Sequence, residues 1–261
     1  MTPERLIDRI FELNLRAVEW CHFPCHEPGK VDWDQVKLLH QLGQKNGITS
    51  SVAGFAPLLA EADGRENMLA MVQTQVAVSK FIASKRMRFH GMVEVDLGIG
   101  VQAPREVCLE NLKYVVELAE KHDIVIALEN HMDFSTDDFR FFFDRIDSPF
   151  LKINLDTGNH LPLMEDVEAF TNEFCDKIVS CHLKAVGFVW RDYGAVLTSC
   201  IPQHSLVDLT RILNILSSGK QDIVVHIEVV AMDSKDEDYL VGEQAEFLLN
   251  YLNNGASDIP C

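Results

Sequence analysis

Short runs of Val, Ile, Leu and Ala alternate along the chain with longer stretches in which apolar residues recur every three or four positions. The short runs read as strands buried on both faces and the long stretches as amphipathic helices, so their alternation describes repeated βα units and a parallel sheet. The pattern predicts strands at 15–20, 48–54, 86–92, 124–130, 151–156, 178–185 and 223–230. Between them it predicts helices near 32–46, 65–84, 104–122, 136–147, 165–176, 205–217 and 236–253. A further helix is expected over 3–14, where Thr2 can cap, Pro3 suits the first helical position, and Leu6, Ile10 and Leu13 share a face.

Seven strands are visible in this pattern, and the opening helix has no strand before it. The expected fold is therefore a TIM (β/α)8-type barrel lacking its first strand. An open edge between the first and last strands would expose unpaired backbone groups, so either the chain lacks that strand or another element covers the gap. The 261 residues, 47% of them hydrophobic, suffice for one domain over 1–261, and no Pro, Gly or Ser-rich linker divides them. Residues 253–261 are expected to form a loose tail.

Charge narrows the partners. Forty acidic residues against 23 Lys and Arg give a formal charge of −17, which repels phosphate backbones and anionic lipid. Nucleic acid and membrane are thus not expected as partners, and a small-molecule substrate is; a homo-oligomer stays open. No apolar stretch reaches the span of a membrane helix, and the Thr-Pro-Glu-Arg opening does not read as a signal, so a cytoplasmic protein is expected. The seven cysteines, an odd number scattered through helices and strands, read as reduced thiols.

Four residues stand out by position. Glu129, Asp156, His182 and Glu228 each fall near the C-terminal end of a different predicted strand, where this architecture gathers its chemistry. Three carboxylates and an imidazole form a hard, mostly oxygen donor set suited to one divalent Mn, Mg, Co or Zn ion. Taken singly, an acid at a strand end is more often a helix cap or a solvated loop group.

The segments Ala-Leu-Glu129-Asn130-His131, Leu155-Asp156-Thr157-Gly158-Asn159, Cys181-His182-Leu183-Lys184 and Ile227-Glu228 resemble the sugar phosphate isomerase/epimerase family with the xylose isomerase-like TIM barrel. The resemblance runs from about residue 15 to 252 and implies a metal held by Glu129, Asp156, His182 and Glu228, with the two glutamates as acid and base. A metal holding a carbonyl and an adjacent hydroxyl would acidify the neighbouring C–H and stabilise the resulting enediolate.

Two departures limit what the resemblance implies. The family's ketose 3-epimerases carry a histidine three residues after the metal aspartate and an arginine six after the metal histidine, where this chain has Asn159 and Phe188. Many relatives read His-Leu-Lys-Asp, whereas Ala185 stands here in place of the acid. His131, two residues after Glu129 and so on the same side of an extended chain, and His160, Lys184 and Arg191, on loops over the same face, are candidate substrate contacts, as is His22; the alternative for the first four is surface solvation or loop hydrogen bonding.

The Cys21-His22-Phe-Pro-Cys25-His26 segment lacks the spacing of a structural metal site, Glu19 reads as a buried hydrogen-bonding acid, and His90 as a satisfied strand-end histidine. The expected function is a divalent-metal-dependent isomerase or epimerase of a small keto sugar, polyol or related hydroxy-ketone in carbohydrate metabolism. The alternatives are a dehydratase of inososes or 3-dehydroshikimate using the same metal, and a catalytically impaired barrel serving as a binding or assembly module.

Overall fold

The structure, a computed structural model, describes residues 3–21, 29–91, 104–219, 222–231 and 234–254. In chain order its elements are α1 (Pro3–Glu12), β1 (Ala17–Trp20), α2 (Trp33–Asn46), β2 (Thr49–Phe55), α3 (Arg65–Phe81), β3 (Arg86–His90), α4 (Arg105–Glu120), β4 (Val125–Glu129) and α5 (Thr136–Phe143). They continue with β5 (Leu151–Asp156), α6 (Val167–Phe174), β6 (Ile178–Leu183), β7 (Val186–Arg191), β8 (Gly194–Ser199), α7 (Leu209–Ser218), β9 (Val224–Ile227) and α8 (Ser234–Asn254).

All seven expected strands form. They pair in parallel in the order β1-β2-β3-β4-β5-β6-β9, a nearly closed sheet wrapped by helices. Ile126, Leu128, Ile153 and Leu155 are wholly buried, as strands covered on both faces must be. Outside the sheet, Phe139 and Phe142 of α5 are also wholly buried, Phe139 meeting Phe170 edge-on at 5.1 Å.

Helix starts follow local chemistry. Asp32 accepts from the backbone N–H groups of Asp34 and Gln35, and Ser135 with Asp138 forms a capping box at the head of α5. α7 starts four residues later than the pattern suggested because Asp208 caps it, accepting from the Arg211 N–H, and residues 202–204 turn separately before it. Gly47, at φ 65°, ends α2 in the left-handed conformation that glycine adopts without strain.

One element was not expected. Residues that read as loop after His182 form the antiparallel β7–β8 hairpin, Val186 opposite Ser199 and Arg191 opposite Gly194. The turn falls at Asp192-Tyr193, between two runs of β-branched and aromatic residues.

The missing-strand expectation has a structural counterpart. β1 and β9 are the ends of the strand order and do not pair with each other. A cavity of about 610 Å³ lies at this seam, lined by α1 and α8 through Leu6, Ile10, Leu248 and Leu252 and reaching Glu19, His182, His226 and Glu228. Arg9 of α1 pairs with Asp238 of α8 at 2.8 Å, so the two helices are tied together beside the gap. Among the described residues no helix is long and apolar enough to cross a membrane.

Candidate metal centre

Adjacent parallel strands in register deliver their last residues to one level. Asp156 pairs with His182 and His182 with His226, while Glu129 ends β4 and Glu228 directly follows β9. The structure brings together all four residues singled out by strand position: one donor atom from each of Glu129, Asp156, His182 and Glu228 lies within 4.8 Å of the others. Glu129 (3%), Asp156 (0%) and His182 (3%) are buried, whereas the Glu228 side chain is 33% exposed, so Glu228 forms the solvent-facing wall.

Asp156 is oriented oxygen by oxygen. Its Oδ1 accepts the backbone N–H groups of Gly158 (2.7 Å) and Asn159 (3.1 Å), which leaves Oδ2 facing the cluster. A Cβ at position 158 would come within 2.6 Å of Val186 Cγ2 and 2.9 Å of Lys184 Cδ, so the tight Asp-Thr-Gly-Asn turn needs a glycine there. The strand end itself is held by Asn130, whose Oδ1 accepts from the Asp156 N–H (2.5 Å) and whose Nδ2 donates to the Asp156 carbonyl (2.8 Å).

Glu129 is held as firmly. Arg88 Nη1 donates to its Oε2 at 2.8 Å, and Asn159 Nδ2 to its Oε1 at 3.3 Å. Arg88 also donates through Nε to Glu19 Oε1 at 3.0 Å, and Glu19 Oε1 lies 3.2 Å from His182 Nε2. Across the cluster, Lys184 Nζ lies 2.7 Å from Asp156 Oδ2 and 2.9 Å from Glu228 Oε1, and donates to Asn159 Oδ1 at 3.2 Å.

Electrostatics follow from this packing. Burial would raise the Glu129 and Glu19 carboxyls, but the charge of Arg88 on the first and of His182 and then Arg88 on the second hold both well below the usual carboxylate range. Burial likewise opposes the His182 cation, yet Glu19 and then Glu129 raise it well above an ordinary histidine. Asp156 shifts upward despite Lys184, because complete burial and then the charges of Glu228 and Glu129 outweigh the ammonium. Negative charge is thus in excess at Asp156.

The donor set fits a hard divalent cation. Asp156 Oδ2 and His182 Nδ1 are buried and make no hydrogen bond. Lys184 at 2.7 Å from the first and Glu228 Oε2 at 2.6 Å from the second approach closely, so they interact by charge, but off the hydrogen-bonding directions. A cation among Glu129, Asp156, His182 and Glu228 would meet both atoms along their lone pairs.

The candidate substrate contacts divide. Lys184 reaches the cluster, and His131 stands beside it, part-exposed, bonded through Nδ1 to Asp133 (3.0 Å) and stacked on His90 at 5.1 Å. His160, expected on the open face, is instead 1% exposed, its Nδ1 2.6 Å from Asn130 Nδ2 and its ring 4.4 Å from Phe170; it props Asn130 from beneath. Arg191, expected on a loop over the site, lies exposed at the end of β7 beside the hairpin turn and takes no part in the contacts that organise the cluster. His22 lies outside the described residues.

Four residues that shape the site carried no such role in the sequence reading: Arg88, Asn130, Asn159 and His226. At Ala185 the missing acid is replaced by packing, the residue being wholly buried with its N–H donating to Gln244 Oε1 at 3.3 Å.

Comparison with known proteins places the chain. A search of curated protein sequences gives no match. A xylose isomerase-like TIM barrel protein from Mycobacterium smegmatis in complex with magnesium superposes with a TM-score of 0.74 at 14% identity, covering 97% of this chain and 88% of that one. An L-ribulose 3-epimerase gives 0.73 at 14%, covering 97% and 89%. The probable 3-DHS dehydratase AsbF of Bacillus anthracis gives 0.73 at 12%, covering 96% and 94%. These likenesses show the fold. The model of the xylose isomerase-like TIM barrel family matches residues 7–251, nearly all of the sheet and its helices, and the chain belongs to that family.

Proposed function

We propose that the protein is a divalent-metal-dependent isomerase or epimerase of a small keto sugar, polyol or related hydroxy-ketone. The observation that carries this reading is the convergence of Glu129, Asp156, His182 and Glu228 within 4.8 Å at the ends of four strands, with Asp156 Oδ2 and His182 Nδ1 buried and without hydrogen bonds. A magnesium-bound structural neighbour is consistent with it. When bound, the cation supplies Lewis acidity, polarising a substrate carbonyl and its neighbouring hydroxyl so that the C–H between them becomes acidic.

The protein's own groups then divide the work. Glu228, part-exposed and paired with His182 and Lys184, is placed to take the proton from the substrate carbon. Glu129, held ionised by Arg88 and Asn159 on the buried side, is placed to take a proton from the substrate hydroxyl and deliver it to that carbon on the other face, while Glu228 hands its own proton to the same oxygen. The Lys184 ammonium, 2.9 Å from Glu228, can offset the negative charge that develops on a substrate oxygen. His131 can bind a hydroxyl at the margin of the site.

The test is a panel of keto sugars, cyclitols and hydroxy-ketones incubated in D2O with Mn, Mg, Co or Zn. Deuterium incorporated beside the carbonyl with the substrate formula otherwise unchanged supports the reading. Loss of one water would move the activity to a dehydratase. No exchange with any substrate, despite bound metal, would favour a barrel that binds without turnover.

A further inference from the structure

We propose that Glu19 is a positioning residue that fixes which edge of His182 faces the metal. Glu19 lies on β1, a strand that contributes nothing to the four-residue cluster, and its side chain is only 5% exposed. The inference rests on the proposed metal site.

The geometry of the His182 ring carries the argument. Nδ1 is the nitrogen turned toward the cluster, 2.6 Å from Glu228, 3.5 Å from Glu129 and 3.9 Å from Asp156. The opposite nitrogen, Nε2, points to Glu19 Oε1 at 3.2 Å. A neutral imidazole has one bare nitrogen and one N–H, and the group that accepts the N–H decides which is which. Glu19 Oε1 stands 3.2 Å from Nε2 as the acceptor for its proton, so when a cation takes the place of the proton on Nδ1 the remaining N–H stays on Nε2 and the Nδ1 lone pair goes to the metal. A carboxylate in this position also makes the ligating nitrogen more basic and fixes the ring plane.

Arg88 is the second half of the device. A lone buried carboxylate is costly, and Arg88, itself 10% exposed, compensates it at 3.0 Å. The same guanidinium grips Glu129 Oε2 at 2.8 Å, turning its Oε1 toward the cluster. One buried Glu–Arg pair on β1 and β3 therefore orients two of the four donors, His182 and Glu129, on β6 and β4. His226, in register with His182 and 6.0 Å away edge-on, packs beside this pair.

The test uses the full chain, zinc as probe, and two variants. Glu19→Gln keeps the shape and an acceptor oxygen but loses the charge. The Glu19→Ala/Arg88→Met double variant removes the pair together, so that neither partner is left as an unmatched charge. Zinc affinity is measured by calorimetry after thermal unfolding has confirmed that each metal-free variant is folded. The His182 15N shifts of the zinc-loaded protein then report which nitrogen carries the metal and which the proton.

In wild type, Nδ1 is expected to be metal-bound and Nε2 protonated. Zinc should bind about 10-fold more weakly in Glu19→Gln and up to about 100-fold more weakly in the double variant. The Nε2 proton signal should weaken or shift in both, a change that a purely structural role for Glu19 would not produce. Equal zinc affinity in all three proteins, or zinc on Nε2 in wild type, overturns the inference while leaving the metal site standing. Wild type that takes up no zinc overturns the metal site and the inference together.

Discussion

Asn130→Leu removes a side chain of similar size that makes three buried hydrogen bonds and is 1% exposed. Its Oδ1 accepts from the Asp156 N–H at 2.5 Å, and its Nδ2 serves the Asp156 carbonyl at 2.8 Å and His160 Nδ1 at 2.6 Å. Each lost bond costs about 1 kcal/mol, and each partner left buried without a replacement raises that toward 1–3 kcal/mol, so the total is about 3–9 kcal/mol. With a urea slope of about 3 kcal/mol/M, the unfolding midpoint of the metal-free protein should fall by about 1–3 M. Because the strand end carrying Asp156 loses its clamp, zinc affinity should fall as well. A midpoint within about 0.3 M of wild type would refute the view that Asn130 pins the metal aspartate.

Phe139→Ala, in a wholly buried aromatic cluster, should cost about 3–5 kcal/mol by urea unfolding. Trp190→Ala on the exposed hairpin (82% exposed) should change stability by less than about 0.5 kcal/mol in the same assay. Burial pushes His90, His160 and His226 each down to about 4, so between pH 6.5 and about 4 the unfolded chain binds protons that the folded one does not. The urea midpoint of the metal-free protein should therefore fall as pH drops through that window, and a flat profile there would contradict the assignment. His182 has the opposite sign: it is raised by Glu19 and then Glu129 against burial, so its contribution is complete below pH 6.5 and is lost as pH rises through its folded value. Glu228→Gln should abolish turnover with thermal stability near wild type, since an amide is a poor ligand and cannot accept the proton; activity retained in that variant would end its assignment as base.

The strands were legible because a parallel sheet covered on both faces must be built from runs such as Val125–Glu129 and Leu151–Asp156, and their C-terminal ends fixed where to look for donors. Glu129, Asp156, His182 and Glu228 were readable from that shared position together with the family resemblance of the segments that carry them. Arg88 was not: in Arg-Met-Arg-Phe-His an arginine looks like a solvent-facing alternate, and only closure of the sheet turns it inward against Glu19 and Glu129. Glu19 read as a buried acid, but its partner on β6 is 163 residues away in sequence, beyond any local signal. His160 was expected on a loop over the catalytic face; the turn at Gly158 instead carries it inward beneath Asn130. The hairpin had a signal, two β-branched and aromatic runs flanking Asp192-Tyr193-Gly194, that the stronger βα alternation concealed.

The central claim is a single metal held by four strand ends, and metal content measures it most directly. Protein purified without chelator, as wild type and as Asp156→Ala, is analysed by plasma mass spectrometry. The account predicts about one Mn, Mg, Co or Zn per chain in wild type and little in the variant, whose remaining donors lose the wholly buried carboxylate at the centre of the set. Equal metal in both proteins, or none in wild type even after reloading, would contradict it.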